Sequence, residues 1–199
     1  MSSALLEERT WTAPMTPEDL LAMPNEVDYE LINGELVERH MGAESSWIAS
    51  NLIGLIYLWC RGRLPGHLFT TDCGYQCFAD DPTKVRKPDV SFVRKGRFPG
   101  ERVPRSYIDI PPDLVVEVLS PNDLASEAAV KVEDYLDAGV PLVWVIFPDA
   151  ETVTVHRADG TVTKLHNTDV LTGEGMLPGF QCKLSELFVA TEDDASDES

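Results

Sequence analysis

The sequence has 199 residues, with 16 Lys and Arg against 34 Asp and Glu, a formal charge of −18 and 43% hydrophobic residues. That length and apolar content fit one folded domain with a real core, and no apolar run approaches the roughly 20 residues needed to span a bilayer. The acidity weighs against a broad nucleic-acid-binding surface, which is ordinarily basic.

Residues 1–14, MSSALLEERTWTAP, lack a basic n-region followed by an apolar stretch, so they read as a loose arm of a cytoplasmic protein rather than a signal peptide. A domain over 15–190 follows. Thr16 as N-cap and Pro17 at the first helical position open a short helix that Pro24 closes. Tyr29 to Ile32, Asn33-Gly34 and Glu35 to Arg39 form a β-hairpin, because both turn residues tolerate positive φ. Trp47, Ile48, Leu52, Leu55, Ile56 and Trp59 recur at helical spacing, which predicts a core helix over 45–61. Strands are expected near 68–78, 88–94 and 113–119. A helix follows over about 122–138, capped by Asn122 or Asp123 and ended by Gly139. The run Leu142 to Phe147 predicts a central strand covered on both faces. Residues 151–157 and 161–166 pair around Ala158-Asp159-Gly160, and 176–189 close on the core. The segment 191–199 carries Glu192, Asp193, Asp194, Asp197 and Glu198 without a base and reads as a disordered acidic tail. Without those five acids the charge is still −13. The expected architecture is a mixed sheet with helices packed on it, an α/β fold in a single domain.

Three residues stand out. Glu117 lies inside the aliphatic run Leu114 to Leu119, where a buried carboxylate needs a cation, a metal or a donor; otherwise it faces solvent on an edge strand. On the following helix, at about 100° per residue, Leu124, Tyr135, Ala128 and Val132 fall within about 80° of one another, and Lys131 falls near −20°, inside that stripe. Such a lysine either snorkels to solvent along its stem or reaches Glu117. Asp89, after Pro88, is either a turn aspartate at the start of a strand or a metal ligand at the sheet edge beside Glu117. Two carboxylates and a lysine are what metal-assisted phosphodiester hydrolysis requires: Mg²⁺ takes oxygen ligands and activates a bound water, and lysine orients or deprotonates that water or neutralises developing charge.

The segments YELINGELVE (29–38), KPDVSFV (87–93), PDLVVEVLSPND (112–123), KVEDYLDAGV (131–140) and LVWVIFPDAETVTVHR (142–157) closely resemble the Uma-type restriction-endonuclease family of the PD-(D/E)XK nuclease superfamily. The resemblance covers roughly residues 16–189, with the motifs in the family's order. It implies a restriction-endonuclease-like fold and a divalent-metal site for Mg²⁺, with Mn²⁺ as substitute. Asp89 matches the first metal-binding aspartate and Glu117 the acidic residue of the (D/E)XK strand. Leu119 stands where that motif has lysine, and Lys131 occupies the place to which this family moves it. A further metal-assisting glutamate comes from the hairpin; Glu35 is preferred over Glu30, exposed hairpin carboxylates being the alternative. Many relatives carry a histidine near the start of the long helix, where this sequence reads Glu44-Ser45-Ser46-Trp47.

Cys60, Cys73, Cys77 and Cys182 match no zinc spacing and read as free thiols, and His40, His67, His156 and His166 are scattered. Basic residues concentrate between Arg61 and Arg105, as a phosphate-contacting face around the metal site or as plain solvated surface. The leading reading is a Mg²⁺-dependent endonuclease acting on DNA, with homodimerisation suited to cutting both strands. The competing readings are a non-catalytic interaction protein on a nuclease fold and a metal-dependent phosphoesterase with another substrate.

Overall fold

Asn33 and Gly34 both take positive φ, 51° and 77°. They fold Tyr29–Ile32 (β1) back onto Glu35–Glu38 (β2) as the expected antiparallel hairpin. The computed structural model describes residues 14–39, 42–61, 65–121 and 123–188. All but Pro14 of the arm expected at 1–14 lies outside them, as do His40, Arg63, Asn122 and the acidic tail. Ahead of the hairpin, Thr16 and Asp19 form a reciprocal capping box that starts Pro17–Leu21 (α1).

The main sheet has six strands in the order β3-β4-β5-β6-β7-β8. These are Gly66–Thr70, Val90–Arg94, Leu114–Val118, Leu142–Phe147, Thr152–Arg157 and Val162–His166. Only β5 and β6 run parallel. A parallel pair needs a crossover, and the helix Ala125–Asp137 (α3) supplies it. Leu142–Phe147 is central and covered on both faces, as its unbroken apolar run requires.

Alternation within the strands builds two cores. Val90, Phe92, Leu114, Val116, Val118, Trp144 and Ile146 face Ala43–Cys60 (α2), which contributes Ile48, Leu52 and Ile56. Val93, Val115, Val143 and Val145 face the other way, against Val132 and Tyr135 of α3. A smaller cluster of Met15, Leu20, Leu31 and Val85 fastens α1 and the hairpin to the domain. The closing segment contributes Leu177 and Phe180, and its hairpin pairs Val170–Thr172 (β9) with Gln181–Lys183 (β10).

Two boundaries differ from expectation. The strand expected over 68–78 stops at Thr70, whose carbonyl accepts the Cys73 amide in a turn; Tyr75 then bridges Arg86 and Ile108 instead of extending the sheet. The helix expected from 122 begins at Ala125. Asp123 does not cap it, because its carboxylate accepts the Ser120 amide (2.6 Å) and hydroxyl (2.9 Å), holding the turn after β5. The far end of α3 stops at a Schellman turn: Val140 N–H reaches Tyr135 C=O, Gly139 N–H reaches Leu136 C=O, and Gly139 takes φ 93°.

Candidate active site

Val90 pairs with Val116 across β4 and β5, so continuing that antiparallel register sets Asp89 opposite Glu117. Alternation aims both toward α3. Lys131 and Tyr135, one turn apart on α3, meet the same carboxylate. Lys131 Nζ lies 3.2 Å from Glu117 Oε2, and Tyr135 Oη donates to Glu117 Oε1 at 2.7 Å. Glu117 is buried on a central strand, not exposed on an edge. Asp89 Oδ2 accepts the Val118 N–H at 2.7 Å, and its Oδ1 lies 3.5 Å from the Arg39 guanidinium, which also bonds Thr71. The structure thus brings Asp89, Glu117 and Lys131 together from a strand start, a strand interior and a helix.

The hairpin glutamate at this site is Glu30, not Glu35. Cross-strand partners share a face, so Glu30, Val37, Ile32 and Glu35 lie on the same side of the hairpin. Glu35 pairs with Ile32 next to the turn and is exposed. Glu30 sits two residues deeper and is only 1% exposed. Its Oε1 accepts the Lys87 amide at 2.8 Å and lies 3.9 Å from Lys131 Nζ, and its Oε2 accepts from Arg86 at 2.9 Å. Arg86 also donates to Asp134 (2.9 Å), and Asp134 accepts from Lys84 (2.7 Å), which ties α3 to the segment leading into β4.

Sequence reasoning did not assign Tyr135, Arg39 or Arg86 to the site. Tyr135 carried a signal, since the helical wheel sets it on the stripe that holds Lys131. Arg39 and Arg86 meet their partners only through the tertiary fold.

The electrostatics follow from burial and crowding of carboxylates. Burial first, and the nearby Glu117 second, raise the Asp89 pKa to about 7. Burial also works to lower the Lys131 ammonium, but Glu117, Glu30 and Asp89 outweigh it and hold Lys131 above its ordinary value. Burial would raise Glu30, yet Lys131, Arg86 and the Lys87 amide keep it below the usual range. The raised Asp89 value has a signed consequence without metal. The protonated carboxyl stabilises the fold fully below the ordinary aspartate range, and that contribution is lost as pH rises through about 7. In EDTA, Asp89→Asn is therefore expected to gain stability relative to wild type as pH goes from 5.5 to 8. Urea unfolding of both at several pH values checks this; a difference that stays flat would contradict it.

The four groups line an open cavity of about 1140 Å³ between the hairpin, β5 and α3. Among the described residues, no three His, Cys, Asp or Glu side chains converge as a ready metal cage. Mg²⁺ does not need one, because it commonly binds through one or two carboxylates and keeps several waters. Two buried carboxylates side by side, one with a raised pKa, opening onto solvent, fit such a cation.

The basic stretch expected as one face around the site splits. Lys84, Arg86 and Lys87 are buried in ion pairs with Asp80, Asp134, Glu30 and Glu26. Arg94 onward lies at the other end of β4, roughly 17 Å from Asp89 at about 3.4 Å per residue. The cavity rim is itself acidic, with Asp28, Glu38, Asp72, Asp123 and Glu127.

The sequence matches the Uma2 family, described as "Putative restriction endonuclease", over residues 17–185. The chain belongs to that family. A comparison with solved structures found a protein described as "a putative nuclease belonging to DUF820" from Anabaena variabilis ATCC 29413. It shares 22% identity with a TM-score of 0.72, covering 87% of this chain and 97% of that one. At that identity the likeness shows the fold, a restriction-endonuclease-like mixed sheet. A search among curated proteins found no match. In this Uma2 member no described helix is long and apolar enough to cross a membrane.

Proposed function

We propose that this Uma2 protein is a divalent-metal-dependent endonuclease that hydrolyses DNA phosphodiester bonds. The observation that carries the reading is the meeting of Lys131 with Glu117 (3.2 Å) beside Asp89 in a cavity open to solvent. An interaction protein that had abandoned chemistry would have little reason to keep three carboxylates and a lysine desolvated together.

Asp89 and Glu117 would hold Mg²⁺ or Mn²⁺, with Glu30 rather than Glu35 as the assisting carboxylate. The bound ion would supply an acidified water and draw charge from the phosphate. The chain's own groups do the rest. Hydrolysis forms one P–O bond from water and breaks another, and negative charge gathers on the phosphoryl oxygens. Lys131, held protonated by its carboxylate neighbours in the metal-free protein, would neutralise that charge and orient the water. Tyr135 fixes one oxygen of Glu117, leaving Oε2 to face Lys131 and the cavity. Cutting both strands of a duplex in one encounter calls for two such sites, which a homodimer would supply.

Supercoiled plasmid incubated with Mg²⁺, Mn²⁺ or EDTA tests the reading. Wild type is expected to nick with either metal and not in EDTA, and Asp89→Asn is expected to fall to background. Cleavage that persists in EDTA, or in Asp89→Asn, would overturn it.

A further inference from the structure

The loop between β4 and β5 carries a charge distribution that the rest of the chain does not. Residues 94–105 hold five basic side chains, Arg94, Lys95, Arg97, Arg102 and Arg105, against one acid, Glu101, in a chain of net −18. In a protein so rich in carboxylates, unpaired basic side chains would ordinarily be neutralised by neighbours. Here Arg94 and Arg97 are neutralised and the other three are not. Asp113, 1% exposed, accepts from Arg94 Nε (2.6 Å), the Arg94 amide (2.8 Å) and Arg97 (3.0 Å). Lys95, Arg102 and Arg105 are exposed and have no carboxylate within ion-pair distance among the described residues.

The loop is also built rather than loose. The Gly96 amide donates to Glu101 Oε1 (2.6 Å), and the Glu101 amide closes a turn on Phe98 C=O (3.0 Å). Phe98 is buried against His67 and Phe69 of β3, with ring centroids 5.1 Å and 6.2 Å away. Lys95 N–H bonds Pro65 C=O at 2.8 Å. Lys95 and Arg102, whose backbone amides bond Pro65 and Pro99, flank this frame, and cations on a held backbone lose less freedom when they meet an anion.

Topology connects this pole to the active site. β3 is the edge strand of the sheet. It begins at Gly66, paired with Arg94, and ends at Thr70, paired with Val90 next to Asp89; Thr71 and Asp72 then line the cavity. The Asp89–Arg94 span along β4, roughly 17 Å, is about five base steps of a duplex at 3.4 Å per step along one strand.

We infer that Lys95, Arg102 and Arg105 form a nucleic-acid backbone contact separate from the cavity, which holds a duplex along the β3 edge while the scissile phosphate enters the acidic cavity. The inference rests on the nuclease reading. It also answers the difficulty the net charge raises: affinity resides in a positive pole apart from the acidic cavity rim.

Binding of a labelled 30-base-pair duplex, followed by fluorescence anisotropy in EDTA across a salt series, tests it without any cleavage. For the variant K95A/R102A/R105A, affinity at low salt is expected to fall at least about tenfold. The slope of log K against log salt is expected to drop by about 2.7, near 0.9 for each phosphate no longer neutralised. The variant K164A/K183A removes two exposed cations elsewhere and is expected to change affinity less than about threefold, with an unchanged thermal midpoint as its folding control. Equal affinity and slope for K95A/R102A/R105A and wild type would overturn the inference while leaving plasmid cleavage, and so the nuclease reading, standing. A wild type that binds no duplex at any salt would overturn it as well.

Discussion

Lys131→Ala is expected to lose about 10²- to 10³-fold in metal-supported cleavage, the usual cost of removing one group that stabilises transition-state charge. The same variant should not lose metal affinity. The ammonium lies 3.2 Å from Glu117 and 3.9 Å from Glu30, and so competes with a dication for the same carboxylates. Without metal the variant keeps Asp89, Glu117 and Glu30 buried together with less compensation. The Lys131 side chain is 25% exposed, so the loss is discounted for screening to about 2 kcal/mol rather than the larger cost of a fully buried pair. Adding Mg²⁺ should recover more stability in the variant than in wild type, because a ligand that binds only the folded state stabilises it by mass action. Three measurements on one pair of proteins therefore decide the role: single-turnover plasmid nicking, calorimetric Mg²⁺ titration, and unfolding with and without Mg²⁺. Near-normal turnover in Lys131→Ala would remove lysine from the mechanism. Loss of Mg²⁺ binding would instead make Lys131 a residue that shapes the site rather than one that acts on the phosphate.

The parts of this site legible in the sequence are those set by short-range rules. Asn33-Gly34 specifies a hairpin by its φ requirement, and Leu142–Phe147 specifies a doubly covered strand by its unbroken apolar run. Glu117 is conspicuous because its neighbours are all aliphatic, and Lys131 because its angle on the helix contradicts its charge. Each anomaly points to a compensating partner, and the two turn out to compensate one another. The choice between Glu30 and Glu35 is of a different kind. Both lie on the same face of the hairpin, and depth is decided by what packs against that face. The segment Val85–Lys87, bridged to Leu31, covers Glu30 and stops short of Glu35. Nothing local in YELINGELVE encodes that cover. The basic stretch misleads likewise, because adjacency in sequence between Arg86 and Arg94 conceals a strand that carries them to opposite ends of the sheet.

Arg86→Met is expected to produce the largest loss of stability of any single change at the site, about 3–5 kcal/mol, and with it a fall in thermal midpoint on the order of 10 °C for a chain of this size. Arg86 is 7% exposed at its side chain and holds Glu30, 1% exposed, and Asp134, 13% exposed, from two directions. Removing the guanidinium leaves one carboxylate with only the Lys87 amide and a distant Lys131, and the other with Lys84 alone. Methionine fills much of the volume, so the loss reports charge rather than a cavity. Arg86→Lys should rescue little, since one ammonium cannot reproduce a planar fork serving two partners. Adding Glu30→Gln and Asp134→Asn to Arg86→Met should recover part of the stability, because the stranded charges are gone. The consequence for function runs through α3: Asp134 anchors the same helix that carries Lys131 and Tyr135, so a loosened anchor moves both groups away from Glu117. Cleavage should therefore fall in Arg86→Met even at temperatures where the protein is folded, and it should stay low in Arg86→Met/Asp134→Asn, which removes one stranded charge without touching Glu30 and does not restore the clamp. Urea unfolding that places Arg86→Met within about 1 kcal/mol of wild type would show that the buried pairs contribute little. Restored cleavage in Arg86→Met/Asp134→Asn would show that the clamp stabilises the fold without positioning the chemistry.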